Sequence, residues 1–280
     1  MKVSKQWHWI GLILLLAAPM HARQQPGAFL GELTWPEAEQ RIRTTTMVII
    51  PFGAGAKEHG PHLPMNADAV VMDYLCRKAV EQLPVLVAPP ILHGWFPAFR
   101  DYPGTEVADP HVFQKYVFEV ARSLVRQGAQ RLVFLNTGIT RATGLPLSIV
   151  AREIRVQYGV PTLVVSWDDL ETEAMDALQE QPVGGHADEI ETSIHLYLQP
   201  ERVKMDLAVR DVAGGRKTYP GYKPGLFSRN PNDPAYSETG LFGDPTLATA
   251  EKGKKALAIL TAEWLKALRG FASAKLRKAK

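Results

Sequence analysis

Thr45-Thr46-Met47-Val48-Ile49-Ile50 runs straight into Pro51-Phe-Gly-Ala-Gly-Ala-Lys-Glu-His-Gly-Pro-His-Leu-Pro-Met-Asn-Ala-Asp68. The first part is a β-branched, apolar run and reads as a buried strand. Glycine and proline keep the second part out of regular structure. A helix from Ala69 to Gln82 is expected to follow. Between strand and helix the chain collects Glu58, His59, His62 and Asp68. A strand that empties into a loop rich in imidazole and carboxylate is how α/β enzymes hold metal ligands or acid/base groups above a sheet.

Reading outward from that stretch repeats the pattern. Pro84 ends the helix and Val85-Leu86-Val87-Ala88 makes a second strand. The loop from Pro89 to Ala108 carries His93, Trp95, Phe96, Phe99, Arg100 and Tyr102; its length suits a lid over a site, and its aromatics equally suit a subunit contact. Asp109-Pro110 caps a helix to about Gln127, with Val112, Phe113, Tyr116, Val117, Val120 and Leu124 at helical spacing. Arg131–Asn136 is a third strand, followed by Thr137-Gly138-Ile139-Thr140 and a helix from about Leu145 to Tyr158. Thr162–Ser166 is a fourth, leading through Trp167-Asp168-Asp169 into a helix to about Glu180. Strand, loop and helix in repetition predict an α/β three-layer sandwich, a mostly parallel central sheet flanked by helices on both faces. Upstream, Thr34 and Pro36 open a short helix. Downstream, residues 210–243 form an irregular arm, expected to wrap a surface or reach a neighbouring subunit. Asp244-Pro245 caps a last amphipathic helix over 245–270, with Leu257, Leu260, Trp264 and Leu268 on one stripe and a weakening Gly253. No internal repeat or linker divides the chain, so residues 23–280 are expected to form one domain.

The composition excludes several classes of function. With 46% apolar and 22% charged residues the chain is an ordinary globular protein. A formal charge of +3, with its basic residues scattered, argues against a nucleic-acid partner. Lys2 and Lys5 precede an apolar segment from Trp7 to Ala18, and Ala17, Ala18 and Ala22 offer small residues for cleavage. Residues 1–22 therefore read as a secretory signal peptide, with an uncleaved anchor as the alternative, and the body is expected to be periplasmic or secreted. After cleavage no membrane span remains. Cys76 is the sole cysteine, so neither an intrachain disulfide nor a zinc–thiolate cluster is available. Its apolar helical neighbours mark it as a small buried residue.

A second polar concentration is Gly184-Gly-His-Ala-Asp-Glu-Ile-Glu-Thr-Ser193. His186 and Glu189, three apart, would share a face if the helix began at the glycines. Asp188, Glu189 and Glu191 would equally serve as first-turn acids favoured by the helix dipole. His195 reads as a packing or surface residue. No Gly-x-Ser-x-Gly elbow, phosphate loop or dinucleotide fingerprint follows any strand. What remains is a set of nitrogen and oxygen donors suited to one or two divalent ions, zinc or manganese first and iron next. Such an ion activates water and polarises a carbonyl, which predicts hydrolysis of an amide-like bond.

The two polar motifs together resemble the creatininase (creatinine amidohydrolase) family. The match runs through Pro51, Glu58-His59-Gly60-Pro61-His62-Leu63-Pro64 and Asp68, then Gly185-His186-Ala187-Asp188-Glu189 and Glu191-Thr192-Ser193, spanning roughly Thr45 to Leu198. The resemblance implies a divalent-metal hydrolase of cyclic or linear amides with a small-molecule substrate, commonly a homohexamer. It implies metal ligands at Glu58, His59, Asp68 and Glu189, with Asp68 bridging, and proton transfer or substrate contact by His186 with Glu189 as its catalytic partner. Trp95 and Phe96 of the long loop, with Thr137, are the expected substrate contacts. Two departures stand out. With His59 in register, the family's Glu position falls on Lys57 and its Gln position on Glu58, one inserted residue away from the usual spacing. At the third strand end the family's metal-binding His is absent from Asn136-Thr137-Gly138-Ile139-Thr140-Arg141. His62 is a candidate replacement ligand, and Lys57 a cation standing where an ion would sit. A catalytically degenerate ligand-binding or scaffold protein is the alternative these departures raise.

Overall fold

β-Branched and leucine-rich segments too apolar for a half-exposed sheet account for the centre of the molecule. The computed structural model describes residues 25–45, 47–138, 140–212, 227–233 and 235–274. Its sheet comprises β1 (Ala28–Phe29), β2 (Met47–Phe52), β3 (Val85–Val87), β4 (Leu132–Asn136) and β5 (Thr162–Ser166). They lie in the order β1-β3-β2-β4-β5, all parallel. β2 is central and buried along its whole length, as a parallel strand covered on both faces must be.

The period-two alternation of β2 sorts its side chains between two layers. Met47 and Ile49 face a core built with Leu75 and Ala79 of α2 (Ala67–Gln82), Ile194 of α6 (Glu189–Leu198) and Leu260 and Trp264 of α7 (Ala250–Ser273). Val48, Ile50 and Phe52 face the opposite core, with Phe113 and Val117 of α3 (Pro110–Arg126) and Leu147 and Ile154 of α4 (Thr140–Tyr158). The remaining helices are α1 (Trp35–Thr44), closed by the Thr34–Glu37 capping box, and the four-residue α5 (Glu173–Asp176). Phe52 pairs with Asn136 and Asn136 with Ser166. The loops leaving β2, β4 and β5 therefore emerge side by side, at the strand ends where open α/β sheets bind ligands.

Several expected boundaries move. α4 begins at Thr140 rather than near Leu145 and continues through Pro146. The helix expected beyond Trp167-Asp168-Asp169, to about Glu180, shrinks to the short α5, and Trp167–Asp169 itself forms a 3-10 turn. The Asp169 carboxylate folds back to accept from the Ser166 N–H at 2.8 Å, closing a single turn. Asp244-Pro245 caps a 3-10 turn, and α7 starts only at Ala250 under a Thr249 cap. Gly253 is needed rather than merely tolerated: a Cβ there would lie 1.9 Å from the Ser193 carbonyl oxygen where α7 crosses α6. The expected signal peptide, the basic tail and residues 213–226 of the arm lie outside the described residues. The described ends of the arm return to the body, with Asp211 bridging Gly243 and Phe242 bridging His186. No helix among the described residues is long and apolar enough to cross a membrane.

Candidate active site

The loop after β2 is laced shut before any chemistry is considered. Lys57 N–H donates to the Met65 carbonyl at 2.9 Å, and Glu58 N–H to Thr105 Oγ1 at 3.0 Å. Gly60 takes φ +67, a turn in which a Cβ would crowd the His62 ring at 3.0 Å. This lacing turns Lys57, Glu58 and His59 inward, and all three are buried. The Lys57 ammonium, on a residue 2% exposed, sits 2.9 Å from Asp68 Oδ2 and 5.4 Å from the centroid of Phe99. The other oxygen, Asp68 Oδ1, lies 2.9 Å from His59 Nε2. Asp68 occupies the first turn of α2, where the helix dipole favours an anion. Burial opposes its ionisation, but Lys57 and His59 outweigh it and hold the carboxyl well below the usual carboxylate range.

The second motif approaches from the opposite side. His186 precedes α6 in extended chain, held by reciprocal backbone bonds with Phe242 at 3.3 and 2.8 Å. Its Nε2 is 2.9 Å from Glu58 Oε2, and its Nδ1 is 3.9 Å from Glu191 Oε2. Phe99 covers the imidazole at a ring separation of 4.2 Å and stacks on Phe227 of the arm at 4.9 Å. Burial pushes the Glu58 carboxyl up, but the His186 charge and hydrogen bond, with the Gly60 N–H, bring it below its ordinary value. Loop and arm thus roof the site with aromatic rings.

Glu189 is not part of this cluster. Its carboxylate accepts from the N–H groups of Glu180 and Gln181, both at 2.8 Å, and pairs with Lys252 of α7. The reason is where the helix begins. α6 starts at Glu189 under the Asp188 cap, so His186 lies outside it and the expected shared face does not form. Glu189 and Glu191 then point about 200° apart around the helix axis, and Glu191 is the acid that meets His186. His62 turns toward α6, with Nε2 2.8 Å from Thr192 Oγ1 and Nδ1 without a hydrogen-bond partner. Burial pushes its pKa down to about 4. Thr137 is spent on structure, its hydroxyl donating to the Asp68 carbonyl at 2.9 Å. Phe96 is buried beside Gly138, where a Cβ would meet its ring at 3.5 Å and Asp68 Oδ2 at 3.4 Å. Trp95 is half-buried, its carbonyl accepting from the Thr143 hydroxyl at 3.1 Å.

The donor chemistry fits one ion. His59, His186 and Glu191 each offer a ligand atom, all within 4.8 Å of one another. His59 Nδ1–H donates to the Lys57 carbonyl at 2.9 Å, which leaves Nε2 with a lone pair beside the acceptor Asp68 Oδ1. Two acceptors in contact call for a cation between them or for a proton. His186 Nε2–H donates to Glu58, leaving Nδ1 free toward Glu191, the carboxylate–histidine support that orients metal ligands. A small cavity of ≈ 10 Å³, lined by His59, Asp68, Thr137, Glu191 and His195 on one part and by Ala67, Val71, Trp167 and Ile194 on the rest, adjoins these atoms. It has room for a single ion or water.

Comparison with known proteins agrees with the fold and the motifs. The family model for creatininase, described as creatinine amidohydrolase, matches residues 31–268. Creatinine amidohydrolase of Pseudomonas putida is 30% identical over 251 residues, covering 82% of this chain and 92% of that protein. A mycofactocin precursor peptide peptidase of Mycobacterium tuberculosis is 31% identical over 247 residues, covering 82% and 88% respectively. The solved structure "Creatininase Mn" superimposes with a TM-score of 0.75 at 28% identity, over 89% of this chain and all of that one. On these grounds the chain belongs to the creatininase family of hydrolases.

Proposed function

We propose that this protein is an exported, metal-dependent hydrolase that cleaves the C–N bond of a small cyclic or linear amide. The observation that carries the reading is the convergence of His59, His186 and Glu191 ligand atoms within 4.8 Å, beside a buried Asp68. Zinc or manganese suits that nitrogen and oxygen set, with iron next. A bound ion would supply nucleophilic water near neutral pH and polarise the scissile carbonyl.

The chain's own side chains do the remainder. Glu58, ionised and in contact with His186 Nε2, orients that imidazole by accepting the hydrogen bond of its Nε2–H. The Lys57 carbonyl fixes the His59 ring through Nδ1–H, and Asp68 Oδ1 stands beside its Nε2 to share the ion or proton held there. Phe99, Phe227 and Tyr102 exclude water from one wall. The relatives, one named for creatinine and another for a precursor peptide, support an amide substrate class and leave ring or chain open. The basic, then apolar, N-terminus supports export. Exposed Val112 and Tyr116 on α3, with Leu145 and Ile149 on the adjoining α4, support a homo-oligomer, a hexamer by resemblance.

The test is metal content and hydrolysis together. Protein purified without chelator is assayed for zinc, manganese and iron, then against cyclic amides, formamides and short peptides. Less than about a tenth of an equivalent of metal, with no rescue by added zinc or manganese, rejects the reading.

A further inference from the structure

We propose that the Lys57 ammonium is a built-in cation of this site, filling the position beside Asp68 Oδ2 that a divalent ion would otherwise occupy. The inference rests on the metal-centre reading above for the donor set around it. A lysine 2% exposed keeps its head group 2.9 Å from a carboxylate that is itself 5% exposed. The two Asp68 oxygens are divided: Oδ1 faces His59 Nε2, and Oδ2 faces Lys57 Nζ. That division is how a carboxylate serves two positive centres at once, and here one of them is covalently part of the chain.

Lys57 is placed for this rather than trapped by accident. Its N–H is bonded to Met65 and its carbonyl to His59 Nδ1, so the loop that delivers the ligand His59 also fixes the lysine backbone. Phe99 offers its ring to the ammonium at 5.4 Å, a contact that stabilises a desolvated cation. Gly138 lies on the far side, where an added Cβ would stand 3.4 Å from Asp68 Oδ2. An ammonium and a metal ion cannot share so small a position. Lys57 therefore lowers the number of ions the site holds by one.

The experiment counts metal in four proteins: wild type, Lys57→Glu, Lys57→Gln and Lys57→Arg. Each is saturated with manganese or zinc, desalted and measured by elemental analysis, with circular dichroism as the check on folding. Lys57→Glu is expected to hold one equivalent more than wild type, and Lys57→Arg the same number as wild type. If Lys57→Glu does not fold, Lys57→Gln carries the comparison and is also expected to gain an ion, with weaker affinity. An unchanged count in the folded variants overturns the role of Lys57 whatever the wild-type value. A wild type without metal whose Lys57→Glu variant binds one ion upholds the role of Lys57 and rejects the metal-hydrolase reading. A wild type with one ion whose variants also bind one does the reverse.

Discussion

The loop Lys57–Asp68 and the stretch Gly184–Ser193 carry the same kinds of residue and use them differently. In the first, Lys57, Glu58 and His59 turn inward toward Asp68, on the first turn of α2, because turns and backbone bonds aim each loop side chain individually. In the second stretch a helix begins partway along, and helical geometry distributes the acids around its axis. Glu191 reaches His186, while Glu189 is fully buried on the other side, locked to Lys252 and two backbone amides. Side chains aimed one by one from a loop converge on Asp68, with His62 turning instead to Thr192. The same kinds of side chain on a helix divide between chemistry and structure.

Substitutions at the two glutamates break that comparison most directly. Glu189→Ala strands two buried amide donors and leaves Lys252 only Glu180 and the Leu247 carbonyl, and is expected to cost about 3 kcal/mol in urea unfolding without changing metal affinity per folded molecule. Glu191→Gln is expected to leave the unfolding midpoint within a few degrees of wild type while lowering kcat/KM about 100-fold, with matching loss of metal affinity. Equal stability loss in both variants would erase the distinction between the two acids. A smaller effect tests what positions the helix. Gly253→Ala forces a Cβ against the Ser193 carbonyl and is expected to destabilise by about 2 kcal/mol, because backbone must shift where α7 crosses α6.

The histidines sharpen the comparison through pH. Burial pushes His62, in the loop, down to about 4, and His195, on α6, down to about 3. Both folded values lie below the unfolded value of about 6.5, so the unfolded chain binds more protons in the acid range. Their contribution to stability is present above pH ~6.5 and declines as pH falls, through about 4 for His62 and about 3 for His195. Denaturant melts of apo protein at pH 7 and pH 5 are expected to show this loss, and His195→Gln to reduce it. The smallest effect is local: Asp188→Ala removes the cap that accepts from Ile190 and Glu191 N–H, at a cost of about 1 kcal/mol. Its test is a thermal melt.

The sequence alone determined four of the five described strands and most of what surrounds them, and missed the two-residue edge strand Ala28–Phe29. β-Branched runs bounded by glycine and proline mark Met47–Ile50, Val85–Val87, Leu132–Asn136 and Thr162–Ser166, because parallel central strands are apolar on both faces and show their identity locally. Asp109 announced the start of α3, since a cap is a property of neighbouring residues. The two polar motifs also named Glu58, His59, Asp68 and His186 as candidate site residues, which the fold brings together, and noted Lys57 as a cation out of register. Only the tertiary structure decided which acid follows His186 into the site. The first residue of α6 is set by the Asp188 cap and by Lys252, sixty-odd residues away in the chain, and one residue of helix turns a side chain by about 100°. It likewise decided that Thr137 holds the Asp68 backbone, that His62 packs on Thr192, and that the Lys57 charge lies buried against Asp68. Distance between charges is a property of the packed chain, and no spacing in sequence encodes it.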